Sequence, residues 1–420
     1  MVGTKSRSRP RLVVGHPSGG KTVRTRQIGV AIAAFALAAG LVAAVTTPGA
    51  ATVPEPPLHK DLLRLDLPVI ADGEVLAVQQ HGDRIYVGGI FSTIEVAGVP
   101  QSHPYFAAFD LSTGGFLSGF SATFNNEVWA LELSPDGETL YVGGTFTAVN
   151  GVDKRRIVKL NALTGAVDPA FTATADARVR DLALHGTTLY AGGIFDKVNN
   201  QPRTRLAAVD AATGAVDPGF AFTFSDPEGG STRNGSSVRS IDISPDGKRL
   251  LVVHLNRFID GNLRTGVAMI DTSGPTATLS PWSTRIYEDT FCAGDGVWVR
   301  DGKFSPDGSY FVVVGSGHDY PPACDSAVKW ATNDTPNAQP LWVSRHMDTI
   351  EAVAIDHNVI YTGGHFRFQE SLYAPEPWHG TSDNPAGGTN QASQGAFGGE
   401  IVIRHQLGAL DPTSGAALPW

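Results

Sequence analysis

The sequence predicts an all-β chain assembled from repeated four-stranded antiparallel units. Three observations carry that expectation. A heptapeptide recurs with little change as Ile85-Tyr86-Val87-Gly88-Gly89-Ile90-Phe91, Leu140–Phe146, Leu189–Phe195 and Ile360–Phe366. The 420 residues include 48 Gly and 27 Pro, and only 17% are charged, which suits many tight turns. No long stretch after residue 60 shows the 3.6-residue apolar period of a helix.

The chain opens on a basic segment and an apolar run, Ile28–Val45, followed by Pro48-Gly49-Ala50-Ala51. A charged start, an apolar stretch and small residues at a cut site read as a signal peptide over residues 1–51, with an uncleaved N-terminal anchor as the alternative. Gly15–Thr22 satisfies a phosphate-loop pattern, but it lacks the strand and helix that would aim its amides at a phosphate. Residues 52–62 form a Pro-rich linker, and residues 63–420 form the repeat domain. All of residues 1–51 carry seven bases and no acid, so the remaining chain holds 25 bases and 41 acids, a net charge of −16. That balance argues against nucleic acid as a partner.

Each unit reads as four strands. In the second, Val128–Leu133 alternates as strand one, and Ser134-Pro135-Asp136-Gly137 turns the chain into Thr139–Phe146. Arg156–Leu160 is strand three, Asn161–Gly165 a second turn, and Val167–Thr174 strand four. Unit three repeats this through Val179–Leu184, Leu189–Phe195, Arg205–Val209 and Val216–Phe220. Unit one matches at Val75–Val78, Tyr86 and Ala107–Asp110, and unit six at Val353–Ile355, Tyr361 and Leu410–Gly415. Units four and five keep their Ser-Pro-Asp-Gly turns at residues 244–247 and 305–308 and read as having lost the paired glycines. Anchors at Tyr86, Tyr141, Tyr190, Leu251, Phe311 and Tyr361 are spaced by 55, 49, 61, 60 and 50 residues. Four strands in about that length make a β-propeller blade. Six blades are expected, seven being possible. Leu63–Ile70 is expected to complete the last blade and close the ring.

The Y-V-G-G-x-F strand, a short apolar strand about fourteen residues on, then D-x-x-T-G and D-P-x-F, resembles the delta-60 repeat type of bacterial β-propeller. It resembles quinoprotein-like and WD-type propellers more loosely. The likeness covers residues 73–420, and it implies an exported propeller without implying a particular activity.

Residues that could carry chemistry are few. The repeat Tyr and Phe side chains read as packing between blades, and Asp110, Asn161, Asp210, Asp271 and Asp411 as caps of their own turns. Cys292 and Cys324 are the only cysteines, and in an exported chain they read as a disulfide worth about 3–4 kcal/mol by chain entropy. They flank Asp295–Arg300 and Tyr310–Gly315, expected to pair as strands one and two of unit five. Trp298, His318, Asp319 and Tyr320 make unit five rich in polar and aromatic groups. His365 is the sixth residue of the last heptapeptide repeat. Tyr373, Trp378 and His379 lie in a connection from Phe366 to Leu410 that is 30 residues longer than its counterparts. These eight residues are the candidate ligand-binding positions. No catalytic residue, metal set or cofactor motif accompanies them.

The sequence therefore favours an exported, non-catalytic propeller, secreted or held at the cell envelope. Its expected partner is a protein or envelope glycan, with membrane contact only through the N-terminal segment. A secreted hydrolase, lyase or quinone-type oxidoreductase with its site on the central axis is the alternative.

Overall fold

In the computed structural model the described residues are 68–226, 236–288, 298–317, 323–346, 348–366, 368–371, 400–404 and 406–418. They contain strands and no helix, and hence no helix able to cross a membrane. The chain is a β-propeller. Six antiparallel sheets of one kind follow one another among the described residues. Sheet one is Glu74–His81, Arg84–Ile90, Phe106–Asp110 and Gly115–Phe116. Sheet four is Val238–Ile243, Arg249–His254, Val267–Asp271 and Thr278–Leu279. Sheet five is Trp298–Phe304, Tyr310–Ser316, Ser326–Ala331 and Trp342–Arg345.

Sheets two, three and six have three full strands. They are Val128–Leu133, Thr139–Gly144 and Ile157–Asn161; Val179–His185, Thr188–Gly193 and Leu206–Asp210; and Ile350–Asp356, Val359–Gly364 and Leu407–Leu410. Their fourth strands shrink to single bridges, Leu160 to Val167, Val209 to Val216 and Leu410 to Ala417. The first strands of consecutive sheets pack side by side, which makes them the axis.

The repeated glycines explain how the first strands come so close. A Cβ on Gly88 would lie 2.4 Å from Val128 Cγ1 of the next sheet. The same fit recurs at 2.8 Å between Gly143 and Val179 and at 2.5 Å between Gly192 and Val238. The second glycine of each pair serves its own sheet. On Gly89, Gly144 and Gly193 a Cβ would fall 2.1, 2.2 and 2.2 Å from the carbonyl oxygens of Glu74, Glu127 and Arg178. Sheet four reverses the inter-sheet fit. Val253 occupies the glycine position, and the facing residue of sheet five is Gly302, whose Cβ would lie 2.9 Å from Val253 Cγ2.

Tyr86, Tyr141 and Tyr190 are buried and Tyr361 is half-buried, and hydroxyls of the first two join neighbouring sheets. Tyr86 Oη donates to the Ala162 carbonyl at 2.6 Å and Tyr141 Oη to that of Ala211 at 2.7 Å. Both acceptors lie in D/N-x-x-T-G turns. Asn161 and Asp210 cap those turns by accepting backbone N–H groups from Thr164 and Thr213.

Strand pairing corrects four expectations. Val312 faces Lys303 as Tyr141 faces Glu132, so Val312, not Phe311, holds the tyrosine position of unit five. Gly315 then retains the second glycine there. The inner strand of that sheet, expected over Asp295–Arg300, runs through Trp298–Phe304 and so on past Arg300; residues 295–297 lie outside the described residues. Val69–Ile70 does not complete sheet six; it pairs with Thr93–Val96, while Ala417 bridges Leu410. Residues 63–67 lie outside the described residues. The fourteen-residue connections are not plain loops: they hold small hairpins such as Ala148–Val149 with Val152–Asp153. Each hairpin turns on two residues of positive φ, as at Asn150-Gly151 and Asp260-Gly261. In sheet six the corresponding hairpin is Phe368–Ser371 with Glu400–Ile403.

Buried apolar clusters span sheets one and two, two and three, three and four, four and five, and five and six. The outer faces of the series differ. Val75 and Val78 are 44% and 56% exposed, whereas Val128, Val179 and Val238 are buried at the position of Val75. Leu407 is 54% exposed, and a Cβ on Gly363 would meet nothing closer than Leu407 Cδ2 at 3.7 Å. One repeat position thus has opposite tolerance in two sheets. Gly143→Ala is expected to cost about 1–3 kcal/mol through overpacking against Val179. Gly363→Ala is expected to be nearly neutral, and urea unfolding of the two variants checks the contrast.

Candidate functional site

All six inner strands carry a β-bulge at the same place. The register skips between Val75 and Ala77, Val128 and Ala130, Val179 and Asp181, Val238 and Ser240, Val299 and Asp301, and Ile350 and Ala352. A bulge bends its strand and re-aims the extra side chain. The residues so displaced are Leu76, Trp129, Arg180, Arg239, Arg300 and Glu351.

Those from sheets two to six interact across the axis, together with Arg178. The Arg178 and Arg180 guanidinium carbons lie 4.2 and 4.9 Å from the centre of the Trp129 ring. Trp129 is itself oriented by its indole N–H, which donates to Glu127 at 2.7 Å. Arg300 Nη1 sits 3.5 Å from Glu351 of the next sheet, and its guanidinium lies 5.4 Å from the Trp298 ring. Burial, then the charges of Arg239, Arg178 and Arg300, push the Arg180 guanidinium down to about 9. Burial and then Arg300 likewise lower Arg239, against an opposing pull from Glu351 that exceeds the further push from Arg178. The buried Nε–H groups of Arg178, Arg180 and Arg239 have no acceptor among the described residues. The arrangement is a converging set of cations with donors to spare.

A second layer of charge lies one or more residues further along the same strands. Glu132 accepts the Leu184 N–H at 3.1 Å, Asp181 that of Ile241 at 2.8 Å, Asp242 that of Phe304 at 2.7 Å and Asp301 that of Val353 at 2.9 Å. Each carboxylate therefore bonds the inner strand of the following sheet. Lys303 stands among them, 3.7 Å from Asp242. Burial opposes its charge, yet Asp242, Asp181, Asp301 and Glu132 together hold the ammonium above its ordinary range. Burial raises Asp242 to about 6 and Glu132 to about 8 despite the attraction of Lys303, and it raises Asp181 as well. These acids are committed to structure: their oxygens are spent on backbone amides and on one lysine.

Of the expected site residues, Trp298 is half-buried beside Arg300. His365 has an exposed side chain, and its backbone N–H donates to the Thr349 carbonyl at 2.9 Å. His318, Asp319, Tyr320, Tyr373, Trp378, His379 and Cys292 lie outside the described residues. Cys324 is buried, and no cysteine among the described residues is free. The arginines were not expected from the sequence. A signal exists, because Val179-Arg180-Asp181, Val238-Arg239-Ser240 and Val299-Arg300-Asp301 place Val-Arg at one position in three successive units.

Residues 134–171 match a family model described as a domain of unknown function (DUF5122) beta-propeller, and that stretch falls within unit two. No curated protein matches the chain. Among solved structures, the Cps50 (Swd1) beta-propeller domain of Myceliophteria thermophila is 14% identical, with a TM-score of 0.45, covering 84% of this chain and 98% of that one. The computationally designed Ika8 protein is 13% identical at a TM-score of 0.44, covering 83% and 86%. Hydrazine synthase of Kuenenia stuttgartiensis is 14% identical at a TM-score of 0.41, covering 68% and 71%.

The raised carboxyl of Glu132 sets a pH dependence. Between its ordinary value of 4.5 and about 8, the unfolded chain releases a proton that the folded protein retains, so stability falls as pH rises through that window. Glu132→Gln keeps an acceptor for Leu184 and removes the penalty. Each tenfold difference in acidity constant is worth about 1.4 kcal/mol, so the variant should gain about 1–3 kcal/mol at about pH 8.5 and little near about pH 4. Melting curves across pH check the sign.

Proposed function

We propose that this protein is an exported, non-catalytic binding module of the cell envelope that takes its ligand at the axial mouth formed by the bulged inner strands. The observation that carries the reading is the convergence at the axis of Arg178 and Arg180, both over the Trp129 ring, with Arg239 from the equivalent bulge of the next sheet. Cations that depress one another and lack full pairing cost the fold stability, which is the usual signature of a site kept for a ligand. The mouth offers hydrogen-bond donors and an aromatic wall rather than an acid–base pair.

Export rests on the basic start and apolar run of residues 1–51, and the body is secreted or held at the envelope according to whether that segment is cleaved. A Cys292–Cys324 disulfide fits an oxidising compartment. The partner would be an envelope glycan or a protein presenting its binding group to the axis. The enzyme reading would draw on the raised carboxyls of Asp242 and Glu132, and their commitment to backbone amides weighs against it.

The test is a melting-temperature screen of the purified protein against metals, quinones, neutral cell-wall sugars and charged sugars. A stabilising compound recovered unchanged, whose effect is lost in Trp129→Ala and Arg180→Met, supports the reading. Turnover of that compound, or an effect indifferent to both substitutions, overturns it. For the disulfide, alkylation of the unfolded protein without reductant is expected to leave both cysteines unmodified.

A further inference from the structure

We propose that the axial mouth recognises a compact oxyanion, a phosphate or sulfate ester group, gripped by Arg178, Arg180 and Arg239. This rests on the mouth being the ligand site. Guanidinium groups present forked N–H donors that match tetrahedral oxyanions, and several forks can share one dianion. The neighbouring acids do not already fill that role. Glu351 lies against Arg300, and Glu127 is engaged by the Trp129 indole and the Thr145 hydroxyl. The carboxylates of the second layer bond backbone amides of the next sheet. Among the described residues, Glu351 is the acid these arginines engage, shared between Arg300 and Arg239, whereas the layer beneath sets four carboxylates against Lys303.

The size of the ligand group follows from the rest of the molecule. Outside residues 1–51 the chain carries a net charge of −16, so an extended polyanion is repelled wherever it leaves the axis. A single esterified group presented end-on meets the cations alone. Trp129 bears on the same point: Arg178 and Arg180 lie over its ring, so it helps to hold those guanidiniums in place.

The competing explanation is that the arginines are structural. The two make opposite forecasts for the ligand-free protein. Structural arginines stabilise, so Arg239→Met would lower the melting temperature. Arginines retained for an anion repel one another when it is absent, so Arg239→Met should raise it.

The experiment uses the full-length protein in chloride buffer with inorganic phosphate, sulfate, glycerol phosphate and a neutral glucan as probes, plus single-stranded DNA. The expected result is saturable binding of phosphate, sulfate or glycerol phosphate that weakens as sodium chloride is raised. It should be weakened about tenfold or more in Arg239→Met, the scale of one charged hydrogen bond, and that variant should melt higher without ligand. Preference for glycerol phosphate over inorganic phosphate would assign the group to an ester rather than a free ion. A neutral glucan that binds and is lost in Arg239→Met, with no oxyanion binding, overturns the ligand class and leaves the axial site standing. Tighter binding of DNA than of any compact oxyanion overturns the class in favour of a polyanion. Binding of every probe unchanged by Arg239→Met and Arg180→Met overturns the class and the site together.

Discussion

The close approach of successive inner strands is the constraint on which the structure depends. A four-stranded sheet can lie against its neighbour at the axis only if some residue there yields space. In sheets one to three that residue is the first glycine of the pair, and the space is taken by Val128, Val179 and Val238. Sheet four shows that the requirement is for complementary volume rather than for glycine itself, since Val253 is matched by Gly302 on the opposite side. Tyrosine hydroxyls at the turns and carboxylates on the inner strands add directional bonds between the same pairs of sheets.

Close approach also creates the electrostatics. Charged residues that stand on several separate sheets are brought within range of one another at the axis. Nature of the charge then alternates along the strands, with arginines at the bulge and acids just beyond it. Acids that receive backbone amides and a lysine are tied into the scaffold, at the cost of raised carboxyls at Glu132 and Asp242. The arginines are held more lightly among the described residues, by the Trp129 and Trp298 rings, Glu351 and, for Arg300, the Ser316 hydroxyl. The acid layer lies beneath them on the same strands.

Much of the fold was legible because short-range chemistry writes it. The Ser-Pro-Asp-Gly turns, the capped D/N-x-x-T-G turns and the alternating inner strands depend on residues within a few positions of each other. The small hairpins were legible in part: Asn150-Gly151 and Asp260-Gly261 are strong two-residue hairpin signals, although Ala97-Gly98 and Asn199-Asn200 make the same turn with weaker ones. The shift from Phe311 to Val312 was legible too, since seven residues on from the turn serine lead from Ser134 to Tyr141, from Ser244 to Leu251 and from Ser305 to Val312; what leaves no mark in the sequence is the bulge that all six inner strands share. The candidate site suffered from the same difficulty. Polar and aromatic residues in irregular segments, such as His318 and Trp378, attract notice, whereas an arginine after a valine in a strand reads as a solvated edge.

By itself the sequence determined the all-β repeat, its turns, and the burial of the Tyr-Val-Gly-Gly strand, because each follows from local conformational preference and apolar alternation. Only the tertiary structure decided which side chains meet at the axis. Arg180, Arg239 and Arg300 are 59 and 61 residues apart in the chain, and nothing local couples them. They become neighbours because six bulges at equivalent positions turn side chains of separate sheets toward a shared axis, where burial and mutual repulsion act on their charges.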